Sequence, residues 1–126
     1  MLPYPLLGWF RSGLSALVLP ALMLAAAGPP LVDAGNLTAD PGARLGGEVI
    51  VTGVWVKVAP SDRGYMVVIL RGRGGGRVAC HFEAVPASDR LGLEARLVQP
   101  GETAVRGRCS GVEDGMAVLR GCCLLD

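Results

Sequence analysis

Four cysteines and a single histidine are the residues of this chain best suited to bind a metal ion or to act as a nucleophile. A zinc site would take Cys80, His81, Cys109 and either Cys122 or Cys123. However, the chain has no Cys-x-x-Cys pair, and adjacent strand residues such as Cys80 and His81 point to opposite faces. The same geometry argues against a Cys80–His81 nucleophile pair. We therefore predict no metal site and no cofactor.

The remaining polar residues show no catalytic pattern. The eleven acidic residues are scattered at turns and strand ends, without the paired carboxylates that acid–base catalysis would use. The glycine-rich run 72–76 lacks the lysine and the following helix of a phosphate-binding loop, so it predicts a hairpin turn. Enzymatic activity is the least supported class, and we expect a noncatalytic protein.

A structural role, as a disulfide or a buried thiol, explains the cysteines better than metal binding or catalysis does. Cys109 and Cys122 lie on the two arms of a hairpin predicted to turn at residues 114–115, so their α carbons can approach the ~5.5 Å that a disulfide needs. Closing that loop of ~14 residues would contribute roughly 3 kcal/mol. Cys80 then pairs with Cys123 or stays a buried thiol. Export from the cytoplasm would favour oxidation.

The elements that must position these residues follow Gly47. In the first predicted strand both faces are partly apolar, and Gly53 at its middle is where the backbone can bulge and bend. The helix is expected to bury Leu91 and Ala95. The pattern predicts three strands, a helix and two more strands, over residues 48–58, 65–71, 77–83, 86–98, 102–110 and 116–125. This is the order of a five-stranded OB-fold, an all-β barrel with one helix.

The second and third predicted strands carry the candidate ligand-binding residues. In OB-folds these strands hold single-stranded nucleic acid by stacking bases on aromatic rings. Here they offer Tyr65 and Phe82, and alternation places Phe82 in the core together with Cys80. The residues expected to line a groove across these strands, and to prefer an acidic ligand, are Tyr65, Arg71, Arg73, Arg77 and His81.

Charge bears on the choice of ligand. The chain has twelve basic and eleven acidic residues, and Arg11 lies in the predicted leader, so eleven of each remain. Sequence-independent binding of nucleic acid draws on a basic surface. We therefore expect an unknown protein, a peptide or a small envelope ligand as the partner. Binding of single-stranded DNA or RNA is the alternative, which neutrality and few aromatic residues oppose.

Residues 1–27 are typical of a targeting segment. The apolar run 14–27 is shorter than the ~20 residues that span a bilayer, and Ala27 with the two alanines before it suits a signal peptidase. We predict cleavage after Ala27, with Ala34 as a second candidate. The alternative is an uncleaved membrane anchor within residues 2–27. Either way we expect a periplasmic or secreted domain at 47–126, preceded by a linker at 28–46.

Several short motifs follow one another in a characteristic order. They are Val51-Thr52-Gly53-Val54, the strand 65–70, Val78-x-Cys80-x-Phe82, Gly107-x-Cys109-Ser110-Gly111 and Val118-Leu119-x-x-Cys122. In this order they resemble the tRNA_anti-like OB-fold family of small extracytoplasmic bacterial domains, over residues 36–126. The resemblance implies the OB-fold and brings no catalytic residue with it. Cys123 and the glycine-rich turn at 74–76 depart from the family's pattern.

Overall fold

This computed structural model describes residues 28–97 and 101–125. The predicted leader, residues 1–27, lies outside the described residues. The strands are β1 Leu31–Asp33, β2 Glu48–Pro60, β3 Tyr65–Arg71, β4 Arg77–Pro86, β5 Thr103–Glu113 and β6 Met116–Leu124. The helices are α1 Ala34–Ala39 and α2 Arg90–Arg96, and 3-10 turns lie at Pro41–Arg44, Arg73–Gly75 and Ala87–Asp89. Neither described helix has the length and hydropathy needed to cross a membrane.

Five of the strands close into a barrel. Strand β2 pairs antiparallel with both β3 and β5, β3 pairs with β4, and β5 pairs with β6. A parallel pairing between β4 and β6 completes the ring. The closed five-stranded barrel with one short helix between β4 and β5 confirms the predicted OB-like fold.

Strand β2 serves two sides of the barrel, as its doubly apolar pattern predicts. Its residues 48–53 pair with β5, and its residues 54–60 pair with β3. The strand changes partner at Gly53, where an added Cβ would lie 2.9 Å from the carbonyl oxygen of Arg71. A register shift between Trp55 and Lys57 follows. Trp55 packs against the core, and Lys57 is exposed.

Helix α2 covers one end of the core with a different face from the one predicted. Leu93 and Leu97 are buried, at 2% and 7% exposure, whereas Leu91 is 80% exposed and Ala95 is also exposed. The expectation for Leu91 and Ala95 is therefore wrong. Two leucines four positions apart bury more apolar surface than a leucine and an alanine at the same spacing, so they determine which face packs.

The segment 28–46, predicted as a linker, folds onto the barrel. Strand β1 pairs in parallel with β2, with Val32 opposite Val51. Helix α1 follows at once, and its Ala34 and Leu37 belong to the buried core. Asp33 starts the helix, because its carboxylate accepts a 2.8 Å hydrogen bond from the Gly35 amide.

The glycine-rich turn between β3 and β4 packs against the start of α1, backbone to backbone. A Cβ at Gly35 would lie 2.0 Å from the Arg73 carbonyl oxygen, and one at Gly72 would lie 2.2 Å from the Gly35 amide nitrogen. The Asp33 carboxylate also accepts a 2.9 Å hydrogen bond from the Arg73 amide. The turn is confirmed, and its glycines are explained by this close approach.

Candidate ligand-binding face

The outer surface of β3 and β4 is the strongest candidate site. Strand alternation sends Met66, Val68 and Leu70 into the core, so the residues between them face outward. We call this surface the β3–β4 face. Its members are Tyr65, Val67, Ile69 and Arg71 from β3 and Arg77, Ala79, His81 and Glu83 from β4.

The pairing register divides the β3–β4 face into three zones. Arg71 lies opposite Arg77 at one end, next to the hairpin turn. Ile69 lies opposite Ala79 in the middle. Val67 lies opposite His81, and Tyr65 follows at the other end beyond a register shift. The face thus has a basic end, an apolar centre and a ring-bearing end.

Two adjoining depressions lie on this face. One, of ≈ 220 Å³, extends toward β2 and includes Lys57 and Arg77. The other, of ≈ 230 Å³, extends toward the β5–β6 hairpin and includes His81 together with two acidic residues of that hairpin, Glu113 and Asp114. Both are lined by Val67, Ile69 and Met116, so together they form one shallow groove with an aliphatic floor.

The basic end has cations without counterions. Lys57, Arg71 and Arg77 are exposed, and none of them forms an ion pair with another described residue. Lys57 lies opposite Ile69, beside this arginine pair. Like charges directly opposite each other on antiparallel strands repel. The basic end therefore carries positive charge that no described residue neutralises.

The ring-bearing end is held by a side-chain contact. The Tyr65 hydroxyl lies 2.8 Å from His81 Nδ1, and the two ring centroids are 5.6 Å apart. Burial lowers the pKa of His81, the Arg120 charge lowers it further, and Glu113 and Glu83 oppose both effects. A neutral His81 protonated on Nε2 accepts the Tyr65 O–H at Nδ1.

Next to His81, Glu83 links β4 to β6. Its carboxylate accepts hydrogen bonds from Arg120 Nη2 at 2.8 Å and from the Gly121 amide at 2.7 Å. These bonds to its charged form lower the pKa of Glu83 to about 2. Glu83 is therefore ionised at neutral pH, and its carboxylate oxygens already accept hydrogen bonds from Arg120 and Gly121.

A second groove, of ≈ 280 Å³, lies on the outer surface of β5 and β6, which we call the β5–β6 face. Arg106 forms an ion pair with Glu48, and Arg108 Nη1 donates a 2.7 Å hydrogen bond to the Gly46 carbonyl. Arg120, which also lines the groove, is the partner of Glu83. Each arginine of this groove thus has an acceptor within the chain.

Neither predicted disulfide is formed in the structure, where all four cysteines are free thiols. Cys109 lies opposite Leu119 rather than Cys122. Pairing begins with Glu113 opposite Met116, so the hairpin brings Cys109 level with Leu119, three residues short of Cys122. Cys123 is exposed, whereas Cys80 is fully buried on the inner side of the barrel wall. Cys80 is core-facing, as alternation predicts. No group of three or more metal-binding side chains comes together among the described residues.

Four of the five predicted groove residues, Tyr65, Arg71, Arg77 and His81, share the β3–β4 face. Arg73 lies on the turn beyond it. Sequence reasoning missed Lys57 and Met116, which reach the groove from neighbouring strands. The shift after Trp55 changes the side that Lys57 occupies, and a shift of this kind has no clear signal in the residue pattern.

Comparison with known proteins supports the fold. Thirteen chains of solved structures match. One is the crystal structure of a "putative nucleic acid-binding lipoprotein" from Klebsiella pneumoniae, with a TM-score of 0.56 and 18% identity over 75% of this chain and 91% of that one. No family model matches the chain, and no curated protein does either. The OB-like barrel is thus shown, and the tRNA_anti-like resemblance stays a hypothesis.

Proposed function

We propose that this chain is an exported, noncatalytic OB-fold module that binds an acidic peptide or protein segment across the β3–β4 face. The observation that carries the proposal is the basic end, where Arg71 faces Arg77 beside Lys57 without a counterion among the described residues. A carboxylate bound between the two guanidinium groups would remove their repulsion and add charge-assisted hydrogen bonds.

The groove beyond the basic end supports a peptide over a nucleic acid. Its floor is aliphatic, formed by Val67, Ile69 and Met116, and it suits apolar side chains of a peptide. Base stacking needs exposed aromatic rings. On the described β3–β4 face Tyr65 is the one aromatic residue besides His81, and the two contact each other.

A binding assay with charge-reversed variants tests the proposal. The probe is a fluorescein-labelled peptide of alternating glutamate and leucine, followed by anisotropy with the full chain. Changing Arg71→Glu together with Arg77→Glu should weaken binding by at least about tenfold, since each arginine would lose a charge-assisted contact. The matched control, Arg44→Glu with Arg96→Glu, makes the same change in net charge at exposed positions off the face.

The outcomes separate the face from general electrostatics. Retained affinity in the control and lost affinity in the Arg71/Arg77 variant support the proposal. Equal losses in both variants would show that net charge alone attracts the peptide, and the proposed face would be wrong. Absence of binding by the unchanged protein at low salt would end the peptide hypothesis.

Single-stranded nucleic acid is the second candidate, favoured by the name of the Klebsiella neighbour and by the ring of Tyr65. The probe is labelled oligothymidylate, titrated at several salt concentrations. Affinity that falls linearly on a log–log plot against salt, and that falls again in Tyr65→Ala, would support this candidate. Such a result without peptide binding would replace the first proposal.

Export is the part of the proposal that rests on the leader, and the lipoprotein neighbour supports an envelope location. Intact-mass measurement of the full chain, expressed in a bacterium with an active secretion pathway, tests it. Loss of residues 1–27 would support a cleaved signal peptide. Full-length protein in the membrane fraction would support the anchor instead, and full-length protein in the cytosol would contradict export.

A further inference from the structure

Two cysteine side chains meet inside the barrel where the parallel strands β4 and β6 pair. This seam has three register pairs, fewer than any other barrel pairing of the described strands. Cys80 lies at the end of the seam, opposite Leu119, and is fully buried. Cys122 follows three residues later on β6 and is 6% exposed.

A local backbone feature turns Cys122 inward. Leu119 faces the core, so regular alternation would point Gly121 inward and Cys122 outward. Gly121 instead has a φ of +61°, a left-handed conformation that glycine adopts without strain. Cys122 is consequently buried and Cys123 is exposed.

The neighbouring strand leaves room for the Cys122 sulfur. A Cβ at Gly107 would come within 2.8 Å of Cys122 Sγ, so the absence of a side chain at Gly107 is what admits the thiol. The thiol of Cys122 lies close enough to the thiol of Cys80 to act on its ionisation. That contact is the largest cause of a raised pKa of Cys80, and burial of Cys80 adds to it.

The other two cysteines are directed elsewhere. Cys109 Sγ lies 4.0 Å from the carbonyl oxygen of Pro41, toward the 3-10 turn that follows α1. Cys123 lies opposite Arg106 and lines the outer groove of the β5–β6 face. Neither is placed to compete for the Cys80 sulfur.

We infer that Cys80 and Cys122 are the pair of cysteines that becomes a disulfide when the chain meets a disulfide-exchange oxidant such as glutathione disulfide. The thiolate of Cys122, the less buried of the two, attacks the oxidant and releases one glutathione thiolate. The thiolate of Cys80 then attacks Cys122 Sγ in the mixed disulfide and releases the second. Two protein thiols and one external disulfide become one protein disulfide and two external thiols, which take up the two protons.

The expected product crosslinks β4 to β6 at the shortest seam of the barrel. It depends on the position of two sulfur atoms and not on the ligand, so it stands apart from the proposed function. In the oxidised protein the melting temperature should be higher than in the reduced protein, and Cys80→Ser should abolish that difference.

Peptide mapping of the full chain tests the inference. The reduced protein is incubated with glutathione disulfide, the remaining thiols are alkylated under denaturing conditions, and the protein is digested with trypsin without reduction. Cleavage after arginine places Cys80 in peptide 78–90, Cys109 in 109–120, and both Cys122 and Cys123 in 121–126. A crosslink between 78–90 and 121–126 is expected.

Single variants separate the two adjacent cysteines. Cys123→Ser should keep the crosslink, and Cys122→Ser should lose it. Cys109→Ser should also keep the crosslink. Together with Cys123→Ser, this variant tests the inference even when Cys122→Ser does not fold. A crosslink between 109–120 and 121–126, a crosslink that disappears in Cys123→Ser, or alkylation of all four cysteines after oxidation would each overturn the inference.

Discussion

The two outer grooves of the barrel use arginine in opposite ways. On the β5–β6 face, Arg106 and Arg120 have carboxylate partners and Arg108 donates to a carbonyl. On the β3–β4 face, Arg71 faces Arg77 with no acceptor among the described residues. Each depression of the β3–β4 face is similar in volume to the groove of the β5–β6 face, so the size of a depression does not separate them. An arginine that lines a groove therefore counts as a candidate ligand-binding residue only where the chain itself supplies no acceptor for it.

Register explains the difference. Glu48 lies opposite Arg108 on the paired strands β2 and β5, within reach of Arg106 as well. No acidic residue occupies the matching position beside Arg71 and Arg77, which are each other's cross-strand neighbours. The first arrangement places opposite charges next to each other, and the second places like charges next to each other without a neutralising group.

The largest effect is expected from disrupting the close packing of Gly72 against Gly35 and Asp33, which holds the turn next to the basic end. Gly72→Ala would place a Cβ 2.2 Å from the Gly35 nitrogen and 2.5 Å from Asp33 Oδ2. We expect a loss of about 3 kcal/mol in the free energy of unfolding, because backbone atoms must move apart. Urea denaturation measures the loss. Gly42→Ala is the control, since a Cβ there meets nothing within 4 Å; equal stabilities of the two variants would contradict the account.

Next in size is the Glu83–Arg120 bridge, which supports the edge of the β3–β4 face. The pKa of Glu83 is lowered to about 2 in the folded chain, from a reference value of 4.5. Its stabilising effect is therefore complete above pH 4.5 and is lost as the pH falls toward 2. Because both side chains are more than a third exposed, we expect Glu83→Gln to cost no more than about 1 kcal/mol at neutral pH. Denaturation at a series of pH values should show a shallower acid limb for this variant; an unchanged limb would contradict it.

A smaller effect is expected from His81, which faces Tyr65, Arg120, Glu83 and Glu113. Its pKa lies below 6.5 in the free protein, chiefly because of burial. An anionic ligand on the face should raise this pKa, so the affinity should increase roughly threefold as the pH falls through it. Nuclear magnetic resonance titration of the imidazole, with and without peptide, measures the shift. An identical pKa in both states would place the ligand away from His81.

The smallest expected effect is the sharpest test of the comparison between the faces. Arg77→Gln should raise the free energy of unfolding by about 0.4 kcal/mol, because it relieves repulsion with Arg71. Arg106→Gln should lower it by a similar amount, because it breaks the ion pair with Glu48. Both effects should shrink in high salt. Changes of the same sign, measured by denaturation at low salt, would show that the two faces do not differ in this way.

The barrel could be predicted because its strands either alternate apolar and polar residues or, like β2, are apolar on both faces. Strand β2 is apolar on both faces because it serves two sides of the barrel. The segment 28–46 could not, since its folding depends on Ala34 and Leu37 entering a core made by distant strands. The sequence signal for a helix in this segment is Asp33, because aspartate is a common residue at the start of a helix.

Four of the five predicted groove residues share the β3–β4 face, but the sequence did not give their arrangement or the contributions of Lys57 and Met116. Alternation alone places Arg77 and His81 on one side of β4, whereas the contact of Tyr65 with His81 depends on which residues of β3 and β4 pair, and alternation does not give that register. The cysteines show the same limit. A glycine at position 121 is compatible with a bulge, yet only the pairing of β4 with β6 brings Cys122 to Cys80.

Because of the carboxylate of Asp33, the two predicted cleavage sites differ in their consequence for the fold. The carboxylate accepts hydrogen bonds from Gly35 and from Arg73, and so ties the first helix to the turn that carries the basic end. A protease that cut after Ala27 would leave this clamp intact, whereas one that cut after Ala34 would remove it together with β1. Processing at the second site would therefore remove both hydrogen bonds that hold the turn between Arg71 and Arg77 to the first helix, and under the proposed function it would weaken the binding of an acidic ligand.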